Sequence, residues 1–263
     1  MYTFIKEILF KALKNKKLEI KCIARILTGY TNSSFLVTLT NKKMYVVRIP
    51  TNLSLIDREK EHQVLKKLNN DKDIYFDKKS GIYVKEWIDG VNPVISKKWK
   101  YIDQLFTFIK KLHSVQLSGL SKLKSLTLSN KNLKTLRPNI SKLYLSLIKK
   151  YKKDKLVLNH CDINASNIIQ NGTQLYVIDY EWSALANDYW DYANFIRETK
   201  IDFKKIKWDK YIQNFDLSKL LNFIFMTTVY AYLWTWQVTQ TPRILEYRKN
   251  LLDDINWALT LIK

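Results

Sequence analysis

Two rhythms of apolar residues divide the chain. Phe4, Ile8, Leu9 and Ala12 recur at helical spacing and predict a short amphipathic helix over 3–14. The rhythm then shifts to strand runs. Ile20 to Leu27 predicts a first strand, Phe35 to Leu39 a second and Met44 to Ile49 a third. The polar stretch 28–34 reads as the first turn and Thr40 to Lys43 as the second, and Pro50 ends the third strand. A helix follows over 57–68, with Ile56, Val64, Leu65 and Leu68 forming its stripe. Asp73 to Phe76 and Gly81 to Trp87 predict two more strands. Asp89-Gly90 then turns, and Asn92-Pro93 keeps the connection extended.

From Lys97 the helical rhythm returns. Ile102, Leu105, Phe106, Ile109 and Leu112 mark a helix over 99–113, residues 116–137 are irregular, and a second helix runs from Ser141 to about Lys152. Leu156 to Asn159 leads into a polar loop. Short strands follow around 167–169 and 175–178, joined at Asn171-Gly172, and the remainder is mainly helical. No internal repeat interrupts the pattern. The expectation is an α+β chain, with a strand-rich lobe over 1–88 and a larger helical lobe over 89–263.

Composition narrows this picture in three places. A 46% hydrophobic content over 263 residues supports two lobes with real cores, and five Gly with four Pro exclude low-complexity linkers. Two distant cysteines, Cys22 and Cys161, suggest free thiols rather than a disulfide framework. The first residues lack a signal-peptide pattern and no apolar run is long enough to span a membrane, so a cytoplasmic protein is expected. The net charge of +21 would ordinarily point to nucleic acid. Here the lysines are spread along the chain and no basic strip alternates with stacking aromatics, so solvated surface charge is the better reading.

Candidate chemistry concentrates in Asn159-His160-Cys161-Asp162-Ile163-Asn164-Ala165-Ser166-Asn167, followed by a strand ending at Asp179. A His-x-Asp, an Asn five residues after the Asp, and a second Asp closing an apolar strand make the arrangement of a phosphoryl-transfer site. Asp162 is the candidate base for an acceptor hydroxyl. Asn167 and Asp179 offer hard oxygens to Mg2+, and His160 buttresses the loop. In the 28–34 turn, Gly29 permits an unusual backbone and Asn32, Ser33 and Ser34 offer donors, which suits either phosphates or an ordinary hairpin. Arg48 needs a phosphate, a carboxylate such as Glu59 or Glu61, or solvent.

With these residues in view, the chain resembles the aminoglycoside and choline phosphotransferases, a kinase-like fold, over nearly its whole length. Gly29-Tyr30-Thr31-Asn32 is similar to the nucleotide loop of that superfamily. Arg48 matches its strand-three cation, Glu61 the helix partner, Glu86 and Trp87 the hinge that meets adenine, and Leu112-His113 the end of a helix. Choline and ethanolamine kinases, particularly the bacterial LicA type, are a closer match. Arg48 stands in Val-Arg-Ile-Pro, Ile178-Asp179-Tyr180-Glu181-Trp182-Ser183 resembles Ile-Asp-Phe-Glu-Tyr-Ser, and Asp191 to Glu198 resembles a further segment. Neither the Asp-Phe-Gly nor the Ala-Pro-Glu of protein kinases is present. The resemblance implies an ATP- and magnesium-dependent kinase that converts choline to phosphocholine for phospholipid synthesis or glycan decoration. It implies acceptor recognition by Glu181, Trp182, Glu198, Tyr230 and Trp234, since a quaternary ammonium is held by aromatic faces and a carboxylate. The family places two Trp three residues apart on the relevant helix. The later matches Trp234 and the earlier falls at Ala231, leaving Tyr230, Trp182 or Tyr192 to complete the cage, while Tyr232 and Trp236 read as core. Other acceptors on the scaffold are ethanolamine, thiamine or an aminoglycoside. A non-catalytic basic binder is the alternative of a different class.

Overall fold

A computed structural model of the chain describes residues 1–26, 31–51, 56–96, 99–121, 124–126 and 132–262. Gly29 and its neighbours at 28 and 30 in the 28–34 turn therefore lie outside the described residues. The fold is α+β, and the chain divides into two compact units. The first comprises Met1–Val91, Leu117–Leu123 and Asp179–Trp182. The second comprises Asn92–Gln116, Lys124–Ile178 and Ser183–Lys263.

The first unit is built on a five-stranded antiparallel sheet in the order β1-β2-β3-β5-β4. Its strands are β1 (Ile20–Ile26), β2 (Asn32–Leu39), β3 (Met44–Pro50), β4 (Asp73–Phe76) and β5 (Tyr83–Glu86). Ile5, Ile8 and Leu9 of α1 (Tyr2–Leu13) share a helix face and pack with Phe35, Val37, Leu39, Tyr45, Val47 and Val84. Phe4, expected on the apolar side, is exposed. β2 begins three residues before the expected strand. Asn32, Ser33 and Ser34 pair with Pro50, Ile49 and Arg48, because the ladder uses backbone groups and accepts polar side chains at a strand entrance.

β3 is buried on both faces. Tyr45 and Val47 point into the apolar core, so alternation turns Val46 and Arg48 to the other face. The register sets Tyr83 opposite Arg48 and Lys85 opposite Val46, which gathers these four residues on that second face. Helix α2 (Arg58–Leu68) follows; the Asp57 carboxylate caps it by accepting the Lys60 N–H at 3.1 Å.

The second unit holds α3 (Ile102–His113), α4 (Pro138–Tyr151), α5 (Trp190–Thr199), α6 (Leu217–Trp234) and α7 (Pro242–Ile262). Its two small antiparallel pairs are β6 (Leu156–Asn159) with β9 (Ala184–Asn187), and β7 (Ile168–Asn171) with β8 (Gln174–Val177). α6 is buried nearly all round. Its core hydroxyls, Thr227 and Thr228, are satisfied by donating back to the Ile224 carbonyl at 3.0 and 2.7 Å. Tyr192, a candidate for the cation cage, lies fully buried among Phe106, Trp208 and Tyr211 and belongs to the core. Trp236 is not core. The helix ends at Trp234, and Trp236 is exposed with the Arg248 guanidinium 3.7 Å from its ring centre. None of the described helices is long and apolar enough to cross a membrane.

Leu9→Ala should remove about 2–5 kcal/mol of unfolding free energy in urea, because it empties a closed seam between α1 and the sheet. Phe4→Ala, at an exposed position of the same helix, should stay within about 0.5 kcal/mol of the parent.

Candidate active site

The loop between β6 and β7 is held in place from α5. Asp191, in the first turn of that helix and fully buried, accepts the His160 N–H at Oδ2 and the Cys161 N–H at Oδ1, both at 2.8 Å. These two bonds fix Cys161 at a φ of +66°, a left-handed conformation that a β-carbon disfavours. His113 Nε2, at the end of α3, lies 3.4 Å from Asp191 Oδ2. His160 is also fully buried. Its Nε2 donates to the Ile178 carbonyl at 3.0 Å and its Nδ1 accepts the Asp162 N–H at 3.3 Å. Both ring nitrogens are engaged in positioning the loop, so His160 is not placed to exchange protons with a substrate. The sequence spacing found the loop and missed Asp191, whose partners lie 30 and 31 residues away.

The Asp162 carboxylate is oriented by two amides. Asn164 Nδ2 donates to Oδ1 at 3.0 Å, and Asn167 Nδ2 donates to Oδ2 at 2.8 Å. With its nitrogen so committed, Asn167 keeps Oδ1 as its remaining donor to a metal, and no hydrogen bond to that oxygen occurs among the described residues. Asn92 steadies the loop exit by donating to the Ser166 and Ile168 carbonyls at 3.0 and 2.8 Å.

On the acceptor side, Asn194 donates to the Ile163 carbonyl at 3.1 Å and accepts from Arg197 at 2.7 Å. Arg197 reaches Glu198 at 2.8 Å and the Tyr247 hydroxyl at 3.0 Å, and that hydroxyl donates to Glu198 at 3.0 Å. Burial opposes the charge on Arg197, but Glu198 and Tyr247 outweigh it and hold the group firmly protonated. The same burial pushes the Tyr247 phenol up to about 12. Tyr230 is partly buried against Trp190, whose ring centre is 5.4 Å away. Burial first, then Cys161 and the Asp162 charge, raise its ionisation well above the ordinary value. Tyr230 is thus a neutral phenol beside the candidate base. Trp234 closes the C-terminal end of α6 and is half-buried.

In the first unit a ladder of buried charges occupies the second face of the sheet. Arg48 Nη2 bonds Glu61, and its Nη1 reaches Asp179 at 2.9 Å. Glu61, 0% exposed, also receives Arg58 at 2.7 Å, and Arg58 continues to Glu181 at 3.1 Å. Glu181 further accepts from the Thr31 hydroxyl and from Asn32 Nδ2 at 2.8 Å. Of the expected partners of Arg48, the carboxylates are present and Glu61 is the helix residue chosen. Two other expectations are corrected. Asn32 donates to Glu181 and accepts from Arg58 at 3.1 Å, so its amide is spent inside the protein rather than on phosphates. Glu181 is 2% exposed with both oxygens occupied, so it serves the ladder rather than a free cation. Ser33 turns outward, where its hydroxyl accepts from Arg25 at 3.3 Å. Trp182 is half-buried in the turn Tyr180–Trp182. The Glu86 and Trp87 N–H groups are taken by the Lys72 and Met44 carbonyls at 2.8 and 3.0 Å, so neither is free for a nucleobase.

Asp179 adopts a left-handed φ of +69° and leaves its side chain 34% exposed, with one oxygen on Arg48. Among the described residues no three His, Cys, Asp or Glu side chains form a metal cluster. Lys85 was missed by sequence reasoning. It stands beside Arg48 on the second face, forms no ion pair among the described residues, and its ammonium lies 6.0 Å from the Tyr83 ring centre. Burial pushes its amine down to about 8, Arg48 adds to the effect, and Asp179 and Asp73 oppose it. Strand alternation from Arg48 was the available signal, through the pairing of β3 and β5.

A sheet unit carrying a buried Arg–Glu pair, and a helical unit carrying an Asp–Asn loop after a short strand, define a kinase-like protein. The choline/ethanolamine kinase family model matches residues 78–225, and the chain belongs to that family. An uncharacterized protein, the MG356 homolog of Mycoplasma pneumoniae, is 28% identical over 247 residues, covering 90% of this chain and 86% of its own. Among solved structures, the choline kinase LicA from Streptococcus pneumoniae aligns with a TM-score of 0.72 at 20% identity, over 100% of this chain and 98% of its own. The GDP complex of an aminoglycoside 2'-phosphotransferase-IIIa mutant aligns with a TM-score of 0.69 at 15% identity, over 97% of each chain. These likenesses share the kinase-like fold.

Two outcomes follow from the geometry. Asp191→Ala orphans two loop N–H groups and should cost about 1–3 kcal/mol for each, read by urea unfolding. For Lys85 the folded amine titrates near 8 and the unfolded one near the ordinary 10.5. Between those values the unfolded chain binds more protons, so this group makes stability rise with pH. Lys85→Met should therefore stabilise the protein at pH 7, and the gap to the parent should narrow as pH rises above about 8 and close only above 10.5 in paired unfolding curves.

Proposed function

We propose that the protein transfers the γ-phosphoryl group of ATP to the hydroxyl of choline, giving phosphocholine and ADP. The observation that carries this reading is the Asp162 carboxylate, fixed at both oxygens by Asn164 and Asn167 on a loop pinned to α5. Family membership supports a small-molecule kinase. Asp162 accepts a hydrogen bond from the acceptor hydroxyl and orients its oxygen for in-line attack. As the new oxygen–phosphorus bond forms, the bond from phosphorus to the bridging oxygen of ADP breaks. The hydroxyl proton passes to Asp162 and on to water. Asn167 Oδ1 and the Asp179 carboxylate are the groups that would hold magnesium. Bound magnesium would neutralise charge on the phosphate oxygens during transfer. Arg48, already forked between Glu61 and Asp179, offers its Asp179-facing nitrogen to phosphate. Tyr230 and Trp234 supply aromatic faces to the cation, and Glu198 supplies negative charge.

Ethanolamine is the second reading, favoured by Ala231 at the implied position of a cage tryptophan and by the burial of Tyr192 in the core. A primary amine donates hydrogen bonds and depends less on aromatic faces. The test is a panel of choline, ethanolamine, thiamine and an aminoglycoside with ATP and magnesium, followed by phosphorus NMR of the products. Choline should turn over with the highest kcat/KM, and Asp162→Ala should lower kcat by about 10²–10⁴. Ethanolamine outpacing choline transfers the assignment to the second reading. No phosphorylated product, or full activity in Asp162→Ala, would sink both.

A further inference from the structure

Arg58 has no place in the chemistry just described, yet its guanidinium bonds three side chains of the first unit. Its Nη1 bonds Glu61 at 2.7 Å and Glu181 at 3.1 Å, and its Nη2 bonds Asn32 Oδ1 at 3.1 Å. Those three partners lie on α2, on the segment 179–182 and at the entrance of β2. The side chain is almost wholly buried, and its Nε has no hydrogen-bond partner among the described residues. Its path is set by an opening in the β4–β5 turn. Gly81 has a φ of +72°, and a β-carbon there would fall 2.6 Å from both Cδ and Nε of Arg58. Those atoms belong to a side chain whose guanidinium is tied at three points, so it has little freedom to move aside.

We propose that Arg58 is a positioning residue that sets the segment carrying Asp179, and that Gly81 is required because any side chain there displaces Arg58. Glu181 lies two residues after Asp179, and Arg58 holds it to the same Glu61 that anchors Arg48. Both ends of the Arg48–Asp179 pair are therefore fixed through one guanidinium. The functional half of this proposal rests on the assignment of Asp179 to the nucleotide's magnesium. The positional half does not.

The experiment compares Arg58→Lys, Arg58→Met, Arg58→Ala, Gly81→Ala and the Arg58→Ala/Gly81→Ala double variant. Amide hydrogen exchange of 179–182 and 31–32 reads position without any ligand. Each single variant should speed exchange there by about tenfold or more, with the α1–sheet amides unchanged. Isothermal titration of ATP with and without magnesium reads function. Each single variant should weaken the magnesium-dependent part of ATP binding by about tenfold, while the acceptor KM stays within about twofold. Arg58→Lys keeps a cation but loses the fork and should fall between the parent and Arg58→Met. Gly81→Ala should add little beyond its backbone strain in the Arg58→Ala background, since the Cγ, Cδ and Nε that its β-carbon would meet are gone. Unchanged exchange in a folded Arg58→Lys overturns the positional claim, and an equal Gly81→Ala effect in both backgrounds overturns the role of Gly81. Altered exchange with unaltered magnesium-dependent binding overturns the functional half. A parent protein that binds no ATP overturns the kinase reading and leaves the exchange result to decide the positional claim.

Discussion

A single run of buried charge organises the first unit: Asp179, Arg48, Glu61, Arg58 and Glu181 in alternating sign. Each charge removed from water carries a desolvation cost of several kcal/mol, and truncating one partner of such a pair costs roughly 3–5 kcal/mol. The ladder persists because each inner group faces two opposite charges and both oxygens of Glu61 and of Glu181 are bonded. Apolar side chains would pack the same space at less cost. They would not specify where 179–182 lies relative to α2 and β2, and that placement is what a phosphoryl-transfer site needs.

The second unit solves the same problem with neutral and singly charged groups. Asp191 holds the loop backbone, Asn164 and Asn167 hold the carboxylate, and Asn92 holds the exit. Short side chains with two donors or two acceptors dominate because each must satisfy two partners within one turn of chain. His160 fits this scheme as a buried spacer with both nitrogens in use. The expensive φ of Cys161 is sustained by the same bonds, which is how local strain survives at a site that its surroundings over-determine.

How far the sequence discloses these features follows from the range of the interactions. The Asp162–Asn167 pair is five residues apart, and its spacing is visible in one dimension. The helices of the second unit and the strands of the first show through their periods. β9 does not, because Ala184–Asn187 is short and weakly apolar and becomes a strand only by pairing with β6, some thirty residues earlier. Asn32 looked like a turn residue for the same reason, until the ladder with Pro50 and the bond to Glu181 fixed it. Arg58 and Glu181 are separated by 123 residues, and nothing local to either predicts the other. Gly81 is the extreme case, since its importance lies in a side chain it lacks.

The same geometry explains why position 48 carries arginine. The two carboxylates it serves approach from different directions, Glu61 on Nη2 and Asp179 on Nη1. A lysine ammonium is one point charge and would favour one partner at the other's expense, whereas a planar fork serves both without moving. Glu61 in turn does not depend on Arg48 alone, because Arg58 occupies its other oxygen. If Asp179 turned to a cation, Arg48 would keep its anchor on Glu61 and expose a rigid, already oriented donor beside the vacated position. A phosphate arriving with that cation would meet a guanidinium whose direction had been set before binding, with the ordering cost met during folding rather than during the reaction.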